Sequence, residues 1–224
     1  MSGTPSRAGH DPTHPVEGSS DADTLVLAAP SAIGGHCPCS REAHDGTAAA
    51  TGTSGFLRVA FTRGGLSPPE EWVRAAGDGA DVRVVDSTPC SVGGDESGER
   101  EGEKGVVTVT ASGPANLTDV GVRVTDALDD MDVTAGDTGG GSGGPVCCLG
   151  SLTALLQYVD AREAYRFVNA VTARVASLGG STHAHIEPAA HDRRTIDTMA
   201  SLFDIVAEPS SAGDGLDVVR SRRR

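Results

Sequence analysis

The sequence predicts a three-layer α/β domain on a mostly parallel sheet, with an antiparallel strand pair at its C-terminal end. Three observations lead there. Short runs rich in Val, Leu and Ile recur along the chain, as strands buried on both faces of a parallel sheet require. Amphipathic helical segments alternate with them, which is the pattern of helices laid on both faces of such a sheet. The last two runs are joined by residues 209–215, a turn-forming stretch from Pro209 to Gly215, and so read as a hairpin at the sheet edge.

Taken in order, residues 1–22 are rich in Ser, Gly, Pro, Asp and His without apolar periodicity and are expected to form a disordered acidic tail. Residues 23–224 form one domain. Its strands are expected at 24–29, 56–62, 82–86, 106–110, 146–149, 182–186, 205–207 and 216–220. A helix at 68–76 opens with Ser67 as its cap and Pro in the first turn. A second, at 117–131, places Leu117, Val120, Val124, Ala127, Leu128 and Met131 on one face, with Asn116 as N-cap. Residues 151–178 carry two apolar stripes. Asp160 caps the second of these helices and Gly179-Gly180 ends it. A last helix at 195–203 faces inward through Ile196, Met199, Ala200 and Phe203. Two Gly-rich polar segments, 90–104 and 132–144, are expected as flexible surface loops.

The stretch PSAIGGHCPC, residues 30–39, follows the first strand, where α/β proteins hold phosphates. Its chemistry differs from that of a phosphate loop. Pro30 stands where the first glycine belongs and has no N–H to donate. His36, next to Gly35, replaces the lysine that reaches the phosphates, and Cys37 replaces the Mg²⁺-binding hydroxyl. As a zinc site, His36, Cys37, Cys39 and His44 have suitable donors. One residue between the thiols is too few for the usual structural spacing. A polar loop with incidental thiols is the simpler reading.

The stretch PVCCLGSLTALLQYVD, residues 145–160, is an apolar strand that ends in Gly150-Ser151 with no carboxylate. It resembles RecA/KaiC-type proteins, in which the corresponding strand ends in Asp-Ser before a helix. Ser151 matches the Ser and Gly150 replaces the Asp. SLTALLQYVDAREAYRFVNAVTARV, HAHIEPAAHDRRTIDTMASLFDIVAE and, less closely, NLTDVGVRVTDAL resemble a haloarchaeal family of degenerate RecA/KaiC-like proteins, some of them called transducer-like or HTR-like. The resemblance spans 23–224, most closely after Leu117. It implies a RecA-like core with a terminal strand pair, and it does not bring an activity with it, because both phosphate-handling positions are replaced. A fold shared with ATPases does not bring their function.

Other candidates are weaker constellations. His183 and His185 share one side of a strand, and His191 follows in the next loop, so these three are the candidate metal ligands. The alternative is a polar strand end whose histidines bond to neighbouring loops. Gly35, His36 and Ser151 are the candidate ligand-facing residues. Arg162, Tyr165 and Arg166 lie on the outer side of a helix and form the candidate partner surface. Cys147-Cys148 sits in a buried strand, with the two side chains on opposite faces, and reads as a pair of small core residues. Asp129, Asp130 and Asp132 read as a solvated acidic patch.

The formal net charge is −13 and Lys104 is the one lysine. Such a surface repels nucleic acid and anionic lipid. Adaptation to high salt and a GC-rich genome would each produce it, and the excess of acids over arginine favours high salt. No apolar run approaches a membrane span, the N-terminus has no secretory core, and five cysteines form no disulfide framework. A cytoplasmic setting is expected. The sequence therefore predicts a non-hydrolysing regulatory or signalling domain that works through a protein partner and needs no cofactor. The alternatives are a sensor or enzyme binding a nucleotide or small anion at the strand ends, and a metal-binding protein.

Overall fold

The computed structural model describes residues 22–28, 53–77, 80–89, 99–101, 105–138, 143–211 and 216–222. The expected tail (apart from Ala22) and the 30–39 stretch with Gly35 and His36 lie outside these residues.

Among the described residues the strands are β1 (Thr24–Val26), β2 (Gly55–Ala60), β3 (Asp81–Asp86), β4 (Glu99–Glu101), β5 (Val106–Thr110), β6 (Val146–Ser151), β7 (Ser181–His185), β8 (Ile205–Pro209) and β9 (Leu216–Ser221). They form one sheet in the order β4-β5-β3-β2-β6-β7-β1-β8-β9. The two outermost pairs, β4–β5 and β8–β9, are antiparallel and the inner pairs are parallel. The terminal hairpin expected from residues 209–215 is β8–β9.

The α-helices are α1 (Glu70–Gly77), α2 (Leu117–Thr138), α3 (Leu152–Leu155), α4 (Ala161–Ser177) and α5 (Arg193–Ala200). One face of the sheet gives Leu57, Val59, Cys147, Leu149 and Ala184 to a core shared with α2, α3, α4 and α5. The other face gives Val26, Phe56, Val82, Val84 and Cys148 to a second core, into which α1 sends Trp72. Trp72 lies 5.0 Å from the Phe56 ring. Helices therefore flank both faces, which makes the three layers. No described helix is long and apolar enough to cross a membrane.

Local chemistry sets the helix ends. Asp160 accepts from the amides of Arg162 and Glu163, and Asn116 Oδ1 accepts from Asp119 N at 3.2 Å. Both satisfy N–H groups that the first helical turn leaves without intrahelical partners. Gly179, at φ +72°, ends α4, and the Gly179 and Gly180 amides return to the carbonyls of Ala176 and Val175.

Four expectations need correction. Helix α1 starts at Glu70, two residues after the expected start; the Pro69 carbonyl takes its first bonds, from Trp72 and Val73. The segment 90–104 is not loop throughout, because β4 pairs Glu99, Arg100 and Glu101 with Val109, Thr108 and Val107. Nor is 132–144, because α2 runs on to Thr138 and Gly143 bridges to Thr53. In the first, β5 supplies the backbone partners; in the second, the helix continues on its own ladder and Thr53 takes Gly143, and polar composition reveals neither. Asp129 and Asp130 are also more than a solvated patch. Asp130 takes a 2.7 Å bond from Arg83, which is buried on β3, and Asp129 pairs with Arg174 of α4.

Candidate functional site

The carboxyl ends of β6 and β7 are built by a defect in their pairing. Cys148 is in register with His183 and Ser151 with His185, so two residues of β6 oppose Ala184. This is a bulge, and Gly150 absorbs it at φ +53°. A Cβ on Gly150 would stand 2.7 Å from the Val59 carbonyl oxygen of β2. The position that the resemblance aligns with a metal-side carboxylate thus has neither the backbone conformation nor the space for a side chain.

Ser151, a candidate ligand-facing residue, is used by the fold. Its hydroxyl accepts from Ala154 N at 3.2 Å and caps α3. Two residues on, Thr153 ties down the loop after β7. Its hydroxyl accepts from Glu187 N at 2.8 Å and lies 3.1 Å from His191 Nε2. His191 is thereby placed with Thr153. His183 and His185 are instead grouped with Cys148 on the face of the sheet opposite α2 and α4.

The vicinal cysteines do face opposite layers, Cys147 among the residues under α2 and α4 and Cys148 in the second core. Burial pushes the Cys147 thiol well above the usual thiol range, and the neighbouring Cys148 and Asp23 add to this. Cys147 is therefore an inert thiol. The grouping of Cys148 with the histidines is not in the sequence reading. Its one sequence signal is the alternation that sends one member of the pair to each face; the β6–β7 register supplies the rest.

On the outer layer, Arg162 and Arg166 are exposed one turn apart on α4, and Tyr165 is half-buried against the core. Neither arginine forms an ion pair among the described residues. Arg166 borders a groove of ≈ 700 Å³ between α2 and α4. Phe167, Val171 and Val124 form its apolar floor, and Glu163, Arg174 and Asp126 lie at its rim. Arg174, which the sequence reading missed, ties α4 to α2 through Asp129. In the first turn of α2, Asp119 accepts from Ser112 N and Oγ at 2.7 and 2.9 Å. The backbone bond from Ser112, the Ser112 hydroxyl and Arg123 together hold its carboxyl below the usual range.

A family of unknown function, DUF7504, matches residues 23–209. No curated protein matches the chain. Among solved structures, the uncharacterised protein PH0321 of Pyrococcus horikoshii is 13% identical, with a TM-score of 0.52 over 91% of this chain and 85% of its own. It shows the same fold. PH0250 of P. horikoshii OT3 gives a TM-score of 0.49 at 11% identity, covering 91% of this chain and 88% of its own. The KaiC-like protein PH0186 of the same organism gives 0.47 at 10%, covering 92% and 82%. The RecA-like class expected from the sequence stands in the three layers, the mostly parallel sheet and the terminal antiparallel pair.

Proposed function

We propose, for a chain that belongs to the DUF7504 family of unknown function along residues 23–209, a regulatory role exercised through a protein partner and without nucleotide hydrolysis. The observation that carries it is the outer face of α4. Two exposed arginines, Arg162 and Arg166, stand on a protein of net charge −13, and Arg166 borders a groove with an apolar floor. Anchors of arginine around an apolar centre are the residue types favoured where proteins meet. The partner segment that fits is amphipathic, with an apolar side for the groove and acids for the two arginines. PH0321 is itself held in complex with an unknown peptide, which offers a precedent for this class of occupant on a protein of the same fold.

Gly150 supports the second half of the reading. A carboxylate placed there to hold Mg²⁺ would need to displace the Val59 carbonyl. Together with His36 and Cys37 in the 30–39 stretch, this supports the reading of a RecA/KaiC-like domain without phosphate chemistry. The setting that goes with the reading is the reducing cytoplasm of a salt-adapted cell.

The test compares the wild-type chain with Arg162→Glu and Arg166→Glu in high salt. Affinity isolation from the native host should recover a partner with the wild type and lose it with either reversal, while circular dichroism stays unchanged. Capture that survives both reversals moves the interface elsewhere and sinks the reading. ATP turnover with Mg²⁺ that disappears on changing His36 would replace it with the enzymatic alternative. A nucleotide that co-purifies without turnover would favour the sensor.

A further inference from the structure

The sheet face that carries Val26, Phe56, Ala60 and Val84 is mostly hydrocarbon, with one patch that is not. Cys148 on β6 is the register partner of His183 on β7. His185 stands two residues along the same strand and so on the same face. One donor atom from each of the three side chains lies within 4.8 Å of the other two. The imidazole centroids are 5.6 Å apart with their planes at 87°. All three residues are buried, at 1%, 3% and 2% exposure for Cys148, His183 and His185.

We infer that Cys148, His183 and His185 form a binding site for one late first-row divalent ion, zinc(II) foremost. A thiolate with two imidazoles is a donor set for borderline and soft ions and a poor one for Mg²⁺ or Ca²⁺. Bond lengths of ~2.0–2.1 Å to nitrogen and ~2.3 Å to sulfur put tetrahedral donors about 3.3–3.6 Å apart. The set needs to draw in by about an ångström, which side-chain rotation supplies. Rings set nearly perpendicular do not stack, so their in-plane lone pairs can meet at one point. The backbone needs no help, because the donors come from two neighbouring strands inside the sheet. The bulge puts Ser151, the cap of α3, opposite His185.

Three protein donors leave one tetrahedral position for water or another small donor. Thr24, in register with His183 on β1, and Arg58, in register with Cys148 on β2, flank the patch. Binding releases the Cys148 thiol proton to solvent. With donors this deeply buried, the ion enters as the chain folds and its binding adds to stability. The site stands apart from the α4 surface and does not depend on the regulatory reading. It differs from the set of three histidines suggested by the sequence, since His191 sits with Thr153 and Cys148 takes its place.

The experiment uses the full chain, unfolded in chelator and refolded with cobalt(II) or zinc(II). One equivalent of cobalt should bind, with tetrahedral d–d absorption and a thiolate-to-cobalt charge-transfer band. Cys148→Ser should abolish that band. His183→Gln and His185→Gln should each weaken binding by at least ~10-fold, the lower end of what even outer-shell changes cause. Cys147→Ser and His191→Gln should change neither signal. X-ray absorption of the wild-type zinc form should show one sulfur and two imidazole nitrogens, a result that needs no variant to fold. The inference fails if the wild type refolds to the same circular dichroism without taking up metal. It fails equally if the charge-transfer band persists in Cys148→Ser.

Discussion

Phe61, just past the end of β2, meets Phe167 of α4 edge-to-face with ring centroids 6.3 Å apart. The contact ties the centre of the sheet to the helix that carries the exposed arginines, and the other side of Phe167 helps floor the groove. Phe167→Ala should therefore cost about 3–5 kcal/mol, and Leu155→Ala, fully buried in the same core, about 2–5 kcal/mol. Urea unfolding measures both. Arg162→Glu and Arg166→Glu should stay within about 1 kcal/mol of wild type in the same assay, because exposed charges contribute little. A cost for the reversals as large as that of Phe167→Ala would mean that the α4 face is structural.

Two glycine substitutions should move stability in opposite directions. Gly150→Ala meets the Val59 carbonyl and a left-handed backbone, for which the backbone term alone is about 1–2 kcal/mol. Gly121 lies in α2 with open space where a Cβ would go. Gly121→Ala should stabilise by up to about 1 kcal/mol through helix propensity. Thermal melts of the two variants decide the matter, and a tolerated Gly150→Ala would remove the steric argument against a carboxylate there.

Asp119 makes part of the stability pH-dependent. Its carboxyl is held low in the folded chain, first by the Ser112 amide and further by the Ser112 hydroxyl and Arg123. The folded state then binds fewer protons than the unfolded state in the acid range. The contribution is fully present above the unfolded value, about 4, and is lost as pH falls through the lower folded value. Asp119→Asn should be less stable than wild type at neutral pH, with the gap closing in acid. Denaturation followed from pH 7 down through the carboxylate range tests this; a gap that stays constant would remove Asp119 as the source.

Net charge makes a separate prediction about salt. With a net charge of −13, self-repulsion reaches across the domain at low ionic strength, where the Debye length is ~30 Å at 0.01 M, and is cut to ~3 Å at 1 M. The melting temperature should climb from dilute buffer to molar KCl. A flat profile would return the acidic composition to genome bias.

Much of the fold could be read from the chain because the signals are local. Asp160, Asn116 and Gly179 mark helix ends by bonds to residues a few positions away, and β3 and β5 stand out as short apolar runs within a residue of their bounds. The same locality explains the misses. The polar segment before β5 contains β4 because Val107 and Val109 offer it a ladder, and α2 outruns its apolar stripe, with Asp129 and Asp130 held by Arg174 and Arg83.

The candidate sites divide along the same line. By itself the sequence determined the alternation of layers, the acidic surface, the exposure of Arg162 and Arg166, and the opposite facing of Cys147 and Cys148, since helical and strand periods fix which way neighbouring side chains point. Only the tertiary structure decided that Cys148 joins His183 and His185, that His191 goes to Thr153, and that Gly150 has no room for a side chain. Each depends on the register between β6 and its neighbours. That register is set by hydrogen bonds between strands far apart in the chain and by a one-residue bulge, and neither leaves a local pattern to read.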